Sequence, residues 1–256
     1  MKIYPIKTGE YDFPLSYVMD TADQTVITLP ILAYYIEGAE KKILFDAGGI
    51  DPKGDTVSLH TPTYRRSDEE RLDLALKRAT GIDASQIDIV VLSHLHWDHS
   101  GQMDLFPQAE FWVRMDEVMD SINPVDRYQN TYESFNSGHI PPWAQQPRKW
   151  HFISTKEDVE VVPGIELILL PGHSVGLQGM VVHTQQGLFV LPSDIVMRYE
   201  QLQPDGTVTG SHLCYLLGEN EKSLQRLTEM VQKQHATIVP SHDMRVLDQK
   251  TYPIET

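Results

Sequence analysis

The sequence has a single cysteine, few basic residues and no long apolar run. Cys214, alone among 256 residues, cannot form an intramolecular disulfide. A disulfide-stapled scaffold is therefore excluded, and a reducing cytoplasmic setting is expected. Lys and Arg number 21 against 36 Asp and Glu, a formal net charge of −15. Nucleic acid and anionic membranes both favour a basic footprint, so neither is expected as a partner. Nowhere do 18 apolar residues run together, and residues 1–7 (MKIYPIK) lack the apolar core of a signal peptide. Neither a membrane-spanning helix nor a secretion signal is expected. Low-complexity tracts and short-period repeats are also missing. With 41% hydrophobic and 22% charged residues, disorder cannot be the dominant state. The length suits one domain or two small fused halves, and one domain over residues 1–256 is expected.

What is present is an alternation of short apolar runs with amphipathic stretches, which predicts mixed α and β structure. Ile31–Ile36 and Lys42–Phe45 read as strands separated by a turn over Glu37–Lys41. Ser67 and Glu70 form a capping-box pattern that predicts a helix through about Ala79. Further strands are expected at Ile87–Leu92, Phe111–Arg114, Val159–Val162, Ile165–Leu170, Gly179–His183 and Leu188–Leu191. A last helix is expected over about Glu219–Gln234, where Leu224, Leu227, Met230 and Val231 make one apolar face. Ala236–Val239 reads as a closing strand. Asp51–Arg66, rich in Gly, Pro, Thr and Ser, is expected to be a loop. Pro124–Trp150 holds Tyr128, Tyr132, Phe135, Trp143 and Trp150 among several prolines, and reads as either a lid or a packed surface excursion.

Histidine placement carries the chemistry. His94, His96, Asp98 and His99 fall within six residues, directly after the apolar run Ile87–Leu92. Crowding three imidazoles costs Coulomb and desolvation energy unless a cation gathers them, so the cluster predicts a metal site rather than a solvated turn. His94 and His96 alternate by two and can face one ion, while Asp98 and His99 can face a second a few ångströms away. Three more apolar runs end in a ligand type: Ile165–Leu170 leads to His173, Leu188–Leu191 to Asp194, and Ala236–Val239 to His242. Strand ends along one sheet edge are where α/β folds build their sites. The set is all nitrogen and oxygen; zinc is the default ion, and Mn, Fe or Co suits similar ligands.

The run Ser93-His94-Leu95-His96-Trp97-Asp98-His99, followed by Gly172-His173-Ser174, Asp194 and His242, resembles the metallo-β-lactamase superfamily. Its order and spacing are most similar to the N-acyl homoserine lactonase branch. The resemblance runs from Ile43-Leu44-Phe45-Asp46-Ala47-Gly48 to Ser241-His242-Asp243, nearly the whole chain. It implies an α/β fold of the four-layer αββα sandwich type. It also implies two divalent cations, one held by His94, His96 and His173, the other by Asp98, His99 and His242, with Asp194 bridging. A hydroxide shared by two such ions attacks a carbonyl near neutral pH, because coordination lowers the pKa of water from about 15.7 to about 7. Asp98 is the expected catalytic proton shuttle to the leaving oxygen. Asp46 is expected to orient a histidine. A redox di-iron member of the superfamily would carry Glu where His96 stands.

On this reading the chain opens a small lactone ring, with N-acyl homoserine lactones first and quorum quenching as the consequence. Alternatives are another lactone or ester, such as a pyridoxolactone-like aryl lactone, and a glyoxalase II-like thioesterase. The thioesterase adds a C-terminal helical domain, for which the 14 residues after His242 leave no room. A phosphodiester or RNA-processing hydrolase shares the motif but is opposed by the charge of −15. A zinc-stabilised binding module would need closed coordination. The resembled lactonases carry a tyrosine three residues after the bridging aspartate; here that position is Met197, with Arg198 and Tyr199 nearby. Trp97, Met197 and Tyr199 are the expected pocket residues, Trp97 as an apolar wall. His60, His139, His151, His183, His212 and His235 are expected at the surface or satisfied, although His139 and His212 lie in loops within reach of the pocket. The expected partner is a small lactone or ester, with a homodimer left open.

Overall fold

The apolar run around Ile31–Ile36 belongs to a longer strand, Val26–Glu37, whose residues Leu29–Ile36 are all buried. Continuous rather than alternating burial is the mark of a strand covered on both faces. The computed structural model describes residues 1–53, 63–125, 131–132, 140–145 and 147–254. Most of the Asp51–Arg66 stretch, together with His60, Tyr128, Phe135 and His139, lies outside the described residues.

Two mixed sheets form the fold. The first contains β1 (Lys2–Pro14), β2 (Val26–Glu37), β3 (Ile43–Phe45), β4 (Ile89–Val91), β5 (Glu110–Arg114) and β6 (Lys149–Ile153), in that spatial order. The second runs β11 (Thr237–Ile238), β10 (Gly187–Leu191), β9 (Gln178–Thr184), β8 (Ile165–Leu169), β7 (Val159–Val162). Strands β3 to β6 are parallel. Strand β11 joins β10 in parallel, while β7 to β10 pair antiparallel.

Leu32, Tyr34, Phe45 and Val91 of the first sheet meet Leu167, Met180 and Leu191 of the second in one buried cluster between the sheets. Helix α1 (Leu72–Thr80) lays Leu72, Ala75 and Leu76 on the outer face of the first sheet, against Ala33, Leu44 and Val90. Helix α3 (Leu217–Gln234) lays Leu227 and Met230 on the outer face of the second, against Ile168, Val181, Val190 and Ile238. Each leucine, isoleucine, valine or methionine among them, fully buried, stabilises by about 1.5–3 kcal/mol. The four layers are thus helix, sheet, sheet, helix. A short helix α2 (Met115–Ile122) follows β5 directly.

Buried polar side chains join the sheets. Arg114, 2% exposed, donates from Nε to Gln178 Oε1 (3.0 Å). Its Nη1 donates to the carbonyls of Thr155 (2.7 Å) and Glu157 (3.0 Å), and its Nη2 to Leu167 (3.2 Å). Tyr34 donates its hydroxyl to the Pro240 carbonyl at 2.6 Å.

Some expected boundaries shift. The helix expected from Ser67 through Ala79 is a 3₁₀ turn over Asp68–Glu70, a break at Arg71 (ψ 131°), and then α1. Glu70 does accept the Ser67 N–H at 2.8 Å, so the cap forms but closes only one turn. Strands β1 and β6 and helix α2 were not expected from the sequence. Strand β1 carries Pro5 and Gly9 among charged residues; it is an edge strand, where a missing N–H is tolerated. No helix among the described residues is long and apolar enough to cross a membrane.

Candidate metal centre

Strands β3, β4, β8, β10 and β11 all point their C-terminal ends to one edge of the sandwich, and each is followed by a turn carrying a ligand type. Asp46 follows β3, His94 to His99 follow β4, His173 follows β8, Asp194 follows β10 and His242 follows β11. All these side chains are buried, His94 and His242 completely. The turns are held by the close crossing of the Ala47–Ile50 and His99–Gln102 segments, where Ala47 N–H donates to the His99 carbonyl (2.7 Å) and Gly101 N–H to the Gly48 carbonyl (2.8 Å). A Cβ at Gly101 would stand 2.2 Å from the Ile50 nitrogen, so the crossing requires glycine there.

Donor atoms of three groups lie within 4.8 Å of one another: His94, His96 and His173; His94, His99 and Asp194; and Asp98, His99 and His242. His173 Nε2 is 3.0 Å from His96 Nδ1. Asp194 reaches both clusters, with Oδ2 3.4 Å from His173 Nε2 and Oδ1 3.3 Å and 3.1 Å from the Nε2 atoms of His99 and His242. Asp98 Oδ2 lies 3.7 Å from His99 Nε2 and 3.9 Å from His242 Nε2.

The opposite ring edges are tied back. His99 Nδ1 donates to Asp46 Oδ2 (2.8 Å), His173 Nδ1 to the Leu213 carbonyl (2.8 Å) and His242 Nδ1 to the Pro30 carbonyl (2.8 Å). His94 Nδ1 donates to Ser93 Oγ (2.9 Å), which donates to Asp46 Oδ2 (3.0 Å). These bonds place protons on Nδ1 and leave Nε2 lone pairs converging on the centre, as ligating histidines require. His94 Nε2 is buried without a hydrogen-bond partner among the described residues. An orphaned buried acceptor facing further imidazoles fits a cation. The charges agree. Burial, with His99 and His96 nearby, holds His94 well below the ordinary histidine range. Burial opposes charge on His99 too, but Asp194, Asp98 and Asp46 raise it well above that range. Burial raises the Asp194 carboxyl, and His242, His99 and His173 more than reverse this.

Residues that local sequence gave no reason to single out complete the surroundings. Ser193 donates to Ser93 Oγ (2.9 Å) and Ser241 to Asp194 Oδ1 (2.9 Å). Trp97 lies against Tyr64 (ring centroids 4.9 Å) and Tyr11 (5.8 Å), and the Tyr11 ring lies 5.9 Å from His242. These three rings share a buried cluster with Met197. Tyr11 forms no hydrogen bond through its hydroxyl among the described residues. Burial raises that phenol well above its ordinary range, reinforced by the charges of Asp98 and Asp194.

Tyr199 is a correction. Its hydroxyl pairs with that of Tyr252 at 3.2 Å and its ring packs on the inter-sheet core, so it does not reach the centre. The turn after β10 directs Met197 inward and Tyr199 back toward the sheets. His212 is engaged by the Ser16 carbonyl (2.7 Å) and Asp20 (3.1 Å), His183 pairs with Glu166 (3.0 Å), and His151 stacks on Trp112. Within the 124–150 excursion, the Thr131 carbonyl accepts the Trp97 N–H (3.0 Å), the Tyr132 ring lies 4.6 Å from His96, and Trp143 packs under α1 and its sheet.

The family model described as the metallo-beta-lactamase superfamily matches residues 26–242. An N-acyl homoserine lactonase of Bacillus cereus is 25% identical over 252 residues, covering 95% of this chain and 93% of the relative. One from Agrobacterium fabrum is 26% identical over 235 residues, covering 87% and 83%. The crystal structure of a quorum-quenching N-acyl homoserine lactone lactonase superposes with a TM-score of 0.75 at 25% identity, covering 95% of this chain and 92% of the other. With its αββα layering, its strand-end histidines and a family match across most of its length, the chain belongs to the metallo-beta-lactamase superfamily and is a metal-dependent hydrolase.

Proposed function

We propose that the chain, as a single cytoplasmic domain holding two divalent cations, zinc first among them, opens the ring of N-acyl homoserine lactones. The observation that carries this reading is Asp194, which sends one carboxylate oxygen to each of two ligand clusters. A carboxylate so shared suits a two-ion hydrolytic site, whose ions sit roughly 3.5–4 Å apart. His94, His96 and His173 would hold one ion, and Asp98, His99 and His242 the other. Bound there, the ions supply Lewis acidity for the carbonyl and an activated water near neutral pH. Relatives named for the same substrate support the choice of lactone.

The chain's own residues do the rest. Asp98 takes the proton of the attacking water and returns it to the ring oxygen as the acyl C–O bond breaks, leaving a hydroxy acid. Asp46 and the Leu213 and Pro30 carbonyls keep the imidazole rings turned. The Tyr11, Tyr64, Trp97 and Met197 cluster offers an apolar wall for an acyl chain, and the Tyr11 phenol, without a partner among the described residues, is a donor on that wall. Met197 contributes a thioether and no hydroxyl, which favours a second reading in which another lactone or an ester is the preferred substrate. A pH-drop screen of metal-loaded protein over acyl-homoserine lactones, aryl lactones, thioesters and phosphodiesters tests both. Acyl-homoserine lactones should be turned over fastest. Preference for aryl lactones selects the second reading, and preference for thioesters or phosphodiesters overturns both.

A further inference from the structure

Helix α2 starts behind the metal centre, and its third residue, Glu117, is fully buried. Its carboxylate accepts four hydrogen bonds. Oε1 takes the Leu95 N–H (3.0 Å) and the Tyr132 hydroxyl (2.9 Å); Oε2 takes the Ser174 hydroxyl (2.7 Å) and the Gly176 N–H (3.0 Å). An ionised carboxylate has about four acceptor sites, so all are filled. Leu95 lies between His94 and His96, Ser174 follows His173, and the Tyr132 ring lies against His96. One side chain thus grips the three segments that set the positions of His94, His96 and His173. The loop is packed to match, since a Cβ at Gly176 would stand 2.4 Å from the Glu117 nitrogen. No salt-bridge cation stands beside Glu117 among the described residues; the N-terminal end of α2 is the favourable field there.

We infer that Glu117 is the positioning residue of the three-histidine site: by fixing the distance between the β4 and β8 turns it sets the affinity of that site for its cation, while His99 and His242 are held by Asp46 and the Pro30 carbonyl and make no contact with Glu117. This rests on the two-cation reading. Glu117→Gln keeps the volume but places an amide donor against either the Leu95 or the Gly176 N–H, whichever way it turns. Ser174→Ala and Tyr132→Phe each delete one donor and leave the carboxylate in place.

The test is stepwise Zn²⁺ competition against a chromophoric chelator, with Co²⁺ absorption to tell the two sites apart and thermal unfolding of the metal-free proteins alongside. Glu117→Gln should weaken one Zn²⁺ by roughly 10–100-fold and leave the other nearly unchanged. Ser174→Ala and Tyr132→Phe should weaken the same ion by smaller factors. A merely structural role would lower the unfolding temperature and leave both affinities unchanged, which overturns the inference, as does equal weakening of both ions. Should Glu117→Gln fail to fold, the two single-donor variants decide by the same criterion. Wild-type protein binding fewer than two Zn²⁺ would instead overturn the two-cation reading.

Discussion

Asp46 holds the His99 ring through a 2.8 Å bond from Nδ1 while standing in left-handed backbone, at φ 67°. The conformation is unusual outside glycine and tolerable for Asp or Asn, and it turns the carboxylate back to receive Ser93 N–H (2.7 Å), Ser93 Oγ and His99 together. Asp46→Asn preserves shape and backbone but offers one acceptor oxygen in place of two. We predict roughly 10–100-fold weaker binding of one cation, read by chelator competition, with the fold intact by circular dichroism. Unchanged affinity would remove Asp46 from the metal centre's support.

Tyr11→Phe removes a hydroxyl that no group among the described residues uses. If that phenol donates to substrate, kcat/KM for an acyl-homoserine lactone falls about tenfold, the worth of one hydrogen bond, with metal content and thermal stability unchanged. A steady-state comparison checks it; equal kcat/KM would leave the ring as wall only.

Stripping the ions should destabilise the fold. At several hundred times Kd, each bound ion adds about 3–4 kcal/mol to stability, so losing both is roughly 20 °C in Tm for a domain of this size. Calorimetry before and after dialysis against a chelator, then with Zn²⁺ restored, measures this. The drop should reverse on restoration.

Asp243 gives a pH-dependent term with a definite sign. Burial raises its carboxyl, but Arg245 (Nε to Oδ1, 2.9 Å) and the Tyr199 N–H (3.0 Å) hold it below the ordinary carboxylate range. Its folded-state pKa is the lower one, so its contribution is complete above the unfolded value of about 3.9 and is lost as pH falls through the folded value. The Arg245 guanidinium is half exposed, so screening limits the effect. Arg245→Ala should cost about 1 kcal/mol near pH 7 and almost nothing below about pH 3, by urea unfolding at each pH. A deficit constant with pH would assign it to packing.

Arg114→Leu should cost at least about 3 kcal/mol, because three carbonyls and the Gln178 amide lose their donor in the interior. Urea unfolding measures it. A loss under about 1 kcal/mol would mean that water or rearranged backbone replaces the guanidinium.

The candidate cluster was legible because each of its residues sits just past an apolar run, and parallel strands bring such ends to one edge. The supporting residues were not. Glu117 is one acidic residue in the first turn of an unforeseen helix, and its four donors come from Leu95, Tyr132, Ser174 and Gly176, which only folding assembles. Ser93, Ser193 and Ser241 each look like ordinary turn serines. Tyr199 misled because distance along the chain does not give direction: its hydroxyl turns to Tyr252 and its ring to the inter-sheet core, while Met197 joins the Tyr11, Tyr64 and Trp97 cluster. Strand β1 was hidden by Pro5, Gly9 and its charges, since an edge strand need not show a buried strand's apolar continuity.

The back-tied imidazoles have a consequence for metal exchange. Because His99, His173 and His242 are each pinned at Nδ1 by a group of the scaffold, an arriving cation meets rings already turned toward it and has little protein to rearrange. On the proposed ligand set, ions of similar radius would succeed one another on an unchanged frame, and the metal found in a purified sample would follow its supply.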